Sequence, residues 1–321
     1  MNTELSAAWG LRVPIVGAPM AYVAGGELAG AITAAGGLGM IGVGNTSTPG
    51  WIAEQCALAR AHGRFGLGLT AWALTDRPEL LDAALAEEPF VVSVSFGDLE
   101  PYADRVRDSG ALLVTQVSDR DGAGRAVDCG VDALVAQGTD AGGHTGPVGT
   151  LPLLDVVLGI GERAGVPVLA AGGVATGRAL AGVLAMGAAG AWIGTRFAAS
   201  AQALGTAAAK ARIVAATESD TVHTRVFDIT QGLGWPPRYP GRALRNSFTD
   251  RWHGREGTLA AERDTVSGDL AAARQRADYD TMYVYAGQAA GLVDAVEDAG
   301  ELVTRIGAEA VEHLRRAAGS L

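Results

Sequence analysis

The residues best suited to chemistry lie in one short run, Gln137-Gly138-Thr139-Asp140-Ala141-Gly142-Gly143-His144-Thr145-Gly146. It follows an apolar segment and sets a single histidine among glycines. Backbone at Gly142 and Gly143 lets a flat or phosphorylated ligand approach with no Cβ in the way. His144 is of the type that takes and gives protons near neutral pH. A Gly-rich turn with an exposed histidine would read the same way, so the rest of the chain must decide. Two more glycine elements bear on it, Ala171-Gly172-Gly173-Val174 and Trp192-Ile193-Gly194-Thr195. Each follows an apolar strand-like stretch and opens a helical one. Backbone N–H groups of Gly173, Gly194 and Thr195 are suited to hold a phosphate. In Gly17-Ala18-Pro19-Met20, Pro19 fixes the local backbone and Met20 offers a polarizable side chain to a flat ring. Gln116 and Gln137 add neutral hydrogen-bonding groups for a heteroaromatic edge.

The elements that must position these residues are short apolar strands alternating with helical stretches. Strands are expected at 13–16, 38–43, 65–69, 90–94, 112–117, 132–136, 167–170 and 191–193. Eight βα units in succession point to a (β/α)8 TIM barrel, with a doubly wound open sheet as the alternative. In a barrel the C-terminal ends of the strands converge, which brings His144, Gly172-Gly173 and Gly194-Thr195 to one rim. The rhythm stops after Lys210. The stretch that follows, with Trp235-Pro236-Pro237, Arg242, Arg245 and Asn246, reads as a mostly helical cap inserted after strand eight. The expected division is a barrel at 1–212, a cap or substrate segment at 213–284, and a return to the barrel with a closing helix at 285–321.

The chain has 25 basic and 35 acidic residues and a formal net charge of −10. That argues against a nucleic-acid groove, which needs a basic patch. It leaves room for an anionic cofactor held by backbone N–H groups. Neither a secretory signal nor a membrane span is expected, and reduced Cys56 and Cys129 fit the cytoplasm. No metal-ligand spacing is present. Lys210 is the only lysine, and its place beyond strand eight argues against a Schiff-base mechanism. No Gly-x-Ser-x-Gly elbow supports a serine hydrolase. Asp140 stands near enough to orient His144, although an exposed loop carboxylate fits it better. His223 and His253 in the cap are secondary candidates to face the site, while His62 and His313 read as solvated. Tyr283, Tyr285 and Gln288 are candidates to line a substrate pocket.

Taken together, these motifs resemble the nitronate monooxygenase family. The resemblance rests on Gly17-Ala-Pro-Met20, Gln137-Gly138 with Gly142-Gly-His144-x-Gly146, Ala171-Gly-Gly-Val174, Gly194-Thr-Arg-Phe197, Pro240-Gly-Arg242 and Ala286-Gly-Gln288, and it spans essentially the whole chain. It implies an FMN-binding barrel that oxidises nitronates, and neutral nitroalkanes, with O2 to a carbonyl compound and nitrite. His144 would be the catalytic base. Pro19, Met20, Gly68, Gln116, Gln137, Gly142, Gly143, Gly172, Gly173, Trp192, Ile193, Gly194 and Thr195 would contact the FMN. Gly68 stands where many relatives have asparagine, and Gln116 where many have lysine. The same motifs are similar to FMN-dependent enoyl-ACP reductases, which use NAD(P)H, and a flavin-binding protein without turnover is a third reading. A homodimer is compatible with all three.

Overall fold

Apolar runs with no polar alternation bury both faces, which a parallel sheet covered by helices allows. The computed structural model describes residues 1–320. Its strands in chain order are β1 (Ile15–Gly17), β2 (Met40–Gly42), β3 (Gly66–Thr70), β4 (Val91–Ser95), β5 (Leu112–Val117), β6 (Ala133–Gln137), β7 (Gly143–His144), β8 (Val168–Ala171), β9 (Gly190–Ile193), β10 (Thr221–Thr224) and β11 (Gly241–Leu244). Eight of them form a parallel sheet in the order β1-β9-β8-β6-β5-β4-β3-β2. The two end strands meet through a parallel bridge between Val16 and Leu38. There Gly17 N donates to Leu38 O at 2.9 Å and Leu38 N to Ile15 O at 3.0 Å. The sheet therefore closes into a TIM barrel.

Side-chain alternation sorts the barrel into two cores. Val16, Met40, Val91, Val114, Val135, Leu169 and Trp192 fill the inside. Leu134, Ala136, Ala170 and Ile193 point outward against the helices. The inner core is plugged by Leu5 and Trp9 from a short helix, Glu4–Trp9, which a Thr3–Ser6 capping box starts. This helix was not among the elements expected from the sequence. The first strand begins two residues later than expected. Pro14 has no N–H to give, and Val13 N already bonds Gly36 O at 3.0 Å. The closing helix covers Ala299–Ala318, with Asp298 accepting from the N–H groups of Gly300 and Glu301.

The segment after β9 holds the helices Val226–Gln231, Ser247–Trp252, Glu256–Ala261 and Arg263–Gln275. They share an apolar core of Phe227, Phe248, Trp252, Leu259, Val266 and Leu270. It is not wholly helical. Strands β10 and β11 pair antiparallel, and β11 also pairs with β7, so the three make one small sheet. The Gly-Gly-His loop is thus hydrogen-bonded into the cap. Among the described residues no helix is long and apolar enough to cross a membrane.

Candidate active site

The rim loops and the cap enclose a cavity of about 1090 Å³. Pro19 and Met20 reach it from the loop after β1, Gly68 from β3, Gln116 from β5 and Gln137 from β6. Gly142, Gly143 and His144 line it, as do Gly172, Gly173, Trp192, Gly194 and Thr195. The expected residues thus come together, with two exceptions. Ile193 is 1% exposed and belongs to the core between strands and helices. It follows inward-facing Trp192, and strand alternation turns it the other way. Gln288 is exposed and lies off the cavity wall. Its backbone N–H donates to Asp140 O at 3.0 Å as the chain turns into the 3-10 helix Gln288–Leu292. Tyr283 and Tyr285 do line the cavity.

The glycines serve two purposes. Gly172 and Gly173 have φ of +104° and +74°, a region most L side chains avoid. A Cβ on Gly173 would meet nothing within 4 Å, so the loop lies open towards the cavity. Gly142 is instead a close approach, where a Cβ would lie 2.6 Å from the backbone N of Gly287.

His144 is 7% exposed. Its backbone is fixed by the pairing of β7 with β11, which sets His144 opposite Gly241 and Gly143 opposite Arg242. Arg242 clamps the same loop. Its Nε donates to Thr139 O at 2.6 Å, Nη2 to Thr139 Oγ1 at 3.2 Å and Nη1 to Thr221 Oγ1 at 3.1 Å. On the ring, Nε2 donates to Asp228 Oδ1 at 2.9 Å. Trp235 stacks flat on the imidazole, with centroids 3.4 Å apart and planes 4° apart. Asp228 is 3% exposed and lies in the first turn of helix Val226–Gln231, where the helix dipole favours a negative charge. Tyr285 packs against the imidazole, with centroids 5.3 Å apart. Burial, and then the negative charge of Asp228, push that phenol well above its usual pKa, so it stays a neutral donor.

Asp140 has a different role from orienting His144. Its Oδ2 accepts from Thr150 N at 3.0 Å, holding the start of helix Thr150–Ala164. The other cap histidines do not face the cavity. His253 is exposed and lies 3.8 Å from Glu256. His223 stitches the cap sheet, with Nε2 at 2.9 Å from Pro240 O and 3.1 Å from Thr145 Oγ1.

Burial, and then the charge of Arg242, lower the His223 pKa. A depressed folded pKa means the unfolded chain takes up a proton that the folded chain refuses. That contribution to stability is present above the unfolded value, about 6.5, and is lost as pH falls below it towards the folded value. Thermal unfolding followed from pH 8 to pH 5 is expected to show a smaller acid-side loss in His223→Gln than in the parent. Superimposable profiles would remove His223 from the account.

Sequence reasoning missed Asp228, Trp72 and Phe96. The two aromatics line the cavity, and both pack on Trp235, at 5.2 Å and 5.3 Å between centroids. Phe96 carries φ +65° at the end of β4 and Tyr22 carries φ +65° after β1. Such strained residues concentrate at working sites. Among the described residues no group of three His, Cys, Asp or Glu could hold a metal ion.

With fold and site geometry in hand, comparison with known proteins defines the class. The family model for nitronate monooxygenase matches residues 53–309. The chain belongs to that family and is an oxidoreductase. It is 30% identical to (3aS,4S,5R,7aS)-5-hydroxy-7a-methyl-1-oxo-octahydro-1H-indene-4-carboxyl-CoA dehydrogenase of Mycobacterium tuberculosis, over 99% of this chain and 98% of that one. Among solved structures it resembles FabK from Thermotoga maritima, at TM-score 0.85 and 27% identity with all of both chains covered. It also resembles a nitroalkane oxidase from Streptomyces ansochromogenes, at TM-score 0.79 and 29% identity, over 98% of this chain and 99% of that one.

Proposed function

We propose that this protein is an FMN-dependent oxidase that converts nitronates, and neutral nitroalkanes, with O2 to a carbonyl compound and nitrite, with His144 as the base. The observation that carries this reading is the 2.9 Å His144–Asp228 bond beside a cavity of about 1090 Å³. With its Nε2–H donated to a carboxylate, neutral His144 keeps Nδ1 unprotonated, and that atom is free to take a proton. It takes one from the carbon next to the nitro group, and Asp228 stabilises the imidazolium that results. A nitronate has already lost that proton and needs only to be held in place. Trp235, Trp72 and Phe96 shield the reacting carbon from water.

The walls suit FMN. The side-chain amides of Gln116 and Gln137 line the cavity and make no hydrogen bond to described residues, so they can meet the edge of a heteroaromatic ring. Gly173 leaves open a cradle that a side chain would fill, and with Gly194 and Thr195 it would hold the phosphate. Bound there, FMN would supply the redox chemistry for which O2 is the oxidant. On this reading residues 1–212 and 285–321 carry the cofactor, and 213–284 close over the substrate.

Gly194→Asp tests the cradle. A Cβ there has only Met20 Sδ at 3.5 Å and Ala18 Cβ at 3.6 Å for neighbours, so the fold accepts a side chain. The new carboxylate beside a phosphate should weaken FMN binding by about tenfold or more, read by titrating FMN fluorescence. Unchanged affinity would remove the phosphate from this loop. For the reaction itself, FMN-loaded protein given propionate 3-nitronate in air should release nitrite without NAD(P)H.

A second reading is a nicotinamide-dependent enzyme acting on a CoA-linked substrate. It is favoured by the Mycobacterium tuberculosis relative named as a CoA-ester dehydrogenase, which matches nearly the full chain.

A further inference from the structure

Helix Arg263–Gln275 forms one wall of the cavity through Arg263, Ser267, Leu270, Ala271 and Arg274. Steps of three and four residues put these side chains on one face. The two arginines are separated by three turns, about 16 Å along the axis, with Leu270 and Ala271 between them. Neither guanidinium is paired with a carboxylate among the described residues. Arg274 is held by neutral acceptors instead, its Nη2 donating to Gln231 Oε1 at 2.7 Å and to the Tyr283 hydroxyl at 2.8 Å. Arg263 rests against Gly232, where a Cβ would lie 3.1 Å from its Cζ. A third cation on the wall, Lys210, donates to the carbonyl of Ala201 at 3.0 Å. The carboxylate on the wall is Asp140, already engaged by Thr150 N. In a chain of net charge −10, this wall carries the opposite sign.

An aromatic track joins it to the base. His144 and Tyr285 are 5.3 Å apart by centroid, Tyr285 and Tyr283 are 4.8 Å apart, and Arg274 Cζ sits 5.8 Å from the Tyr283 ring. We propose that the cap wall binds the anionic end of a long amphiphilic substrate. Its reactive carbon lies beside His144, its apolar chain runs along Tyr285, Tyr283 and Leu270, and its carboxylate or phosphate is taken by Arg274, with Arg263 further along the same face. The fork of an arginine matches either anion. A short nitroalkane would leave both arginines bare. The proposal rests on the reading of the cavity as the substrate site.

The test is binding without turnover, by calorimetry on the FMN-loaded protein, with decanoate, decanoyl-CoA, butyrate and decanol. Decanoate or decanoyl-CoA should bind at least about tenfold more tightly than butyrate or decanol. The tighter of the two identifies the anion as a carboxylate or as the phosphates of a carrier. Arg274→Gln should lose at least about tenfold for the anions and nothing for decanol. Arg276→Gln should change nothing, since Arg276 lies off the wall and 3.9 Å from Asp278. Equal binding of decanol and decanoate, no gain from chain length, or full affinity in Arg274→Gln would overturn the proposal. Because no turnover is read, the outcome stands apart from whether nitronates are oxidised.

Discussion

Replacing His144 by alanine is expected to lower kcat/KM for a neutral nitroalkane by about 10²–10⁴-fold, the usual worth of a positioned base. FMN should stay bound and nitronate turnover should suffer far less. The split follows from geometry. The imidazole is fixed on three sides, by the β7–β11 pairing, by the Trp235 stack and by the Asp228 bond, while Gly173 and Gly194 are on other loops. Only a substrate that still carries its proton needs the base. The check is kcat/KM for nitroethane and for ethyl nitronate in parent and variant. Equal losses on both would reduce His144 to a structural residue.

Asp228→Asn should cost a neutral nitroalkane nearly as much, although the change is almost isosteric. An amide N–H can donate to Nε2, which moves the imidazole proton to Nδ1 and leaves no base facing the substrate. The matching change in a Ser-His-Asp triad costs about 10⁴-fold for the same reason. Since both residues act as a unit, His144→Ala combined with Asp228→Asn should be little worse than either alone. A merely structural Asp228 would instead lower nitronate turnover and thermal stability along with nitroalkane turnover. Wild-type nitroalkane activity in Asp228→Asn would refute the tautomer argument.

The barrel was legible because its signals are local. Apolar runs, helical spacing and paired glycines each show within a few residues, and the closing helix expected within 285–321 runs over Ala299–Ala318. The rim glycines and His144 were legible for the same reason. Asp228 was not. It lies 84 residues from His144, and no local pattern marks a carboxylate that will meet a histidine across a cap. Asp140, four positions from His144, was the nearer candidate, but the loop spends it on Thr150. The two-residue β7 was invisible because it exists only against β11. Ile193 is different, because alternation after Trp192 already implied that it faces away from the cavity. Trp235-Pro236-Pro237 stood out in composition, yet its stacking on His144 required the fold.

The most direct measurement mixes the FMN-loaded protein anaerobically with propionate 3-nitronate and, separately, with NADH and NADPH, and follows the visible flavin absorbance. Rapid bleaching by the nitronate, with little change from either nicotinamide, is the predicted result. Rapid bleaching by NADH or NADPH with none from the nitronate would contradict the oxidase reading and leave the nicotinamide-dependent one in its place.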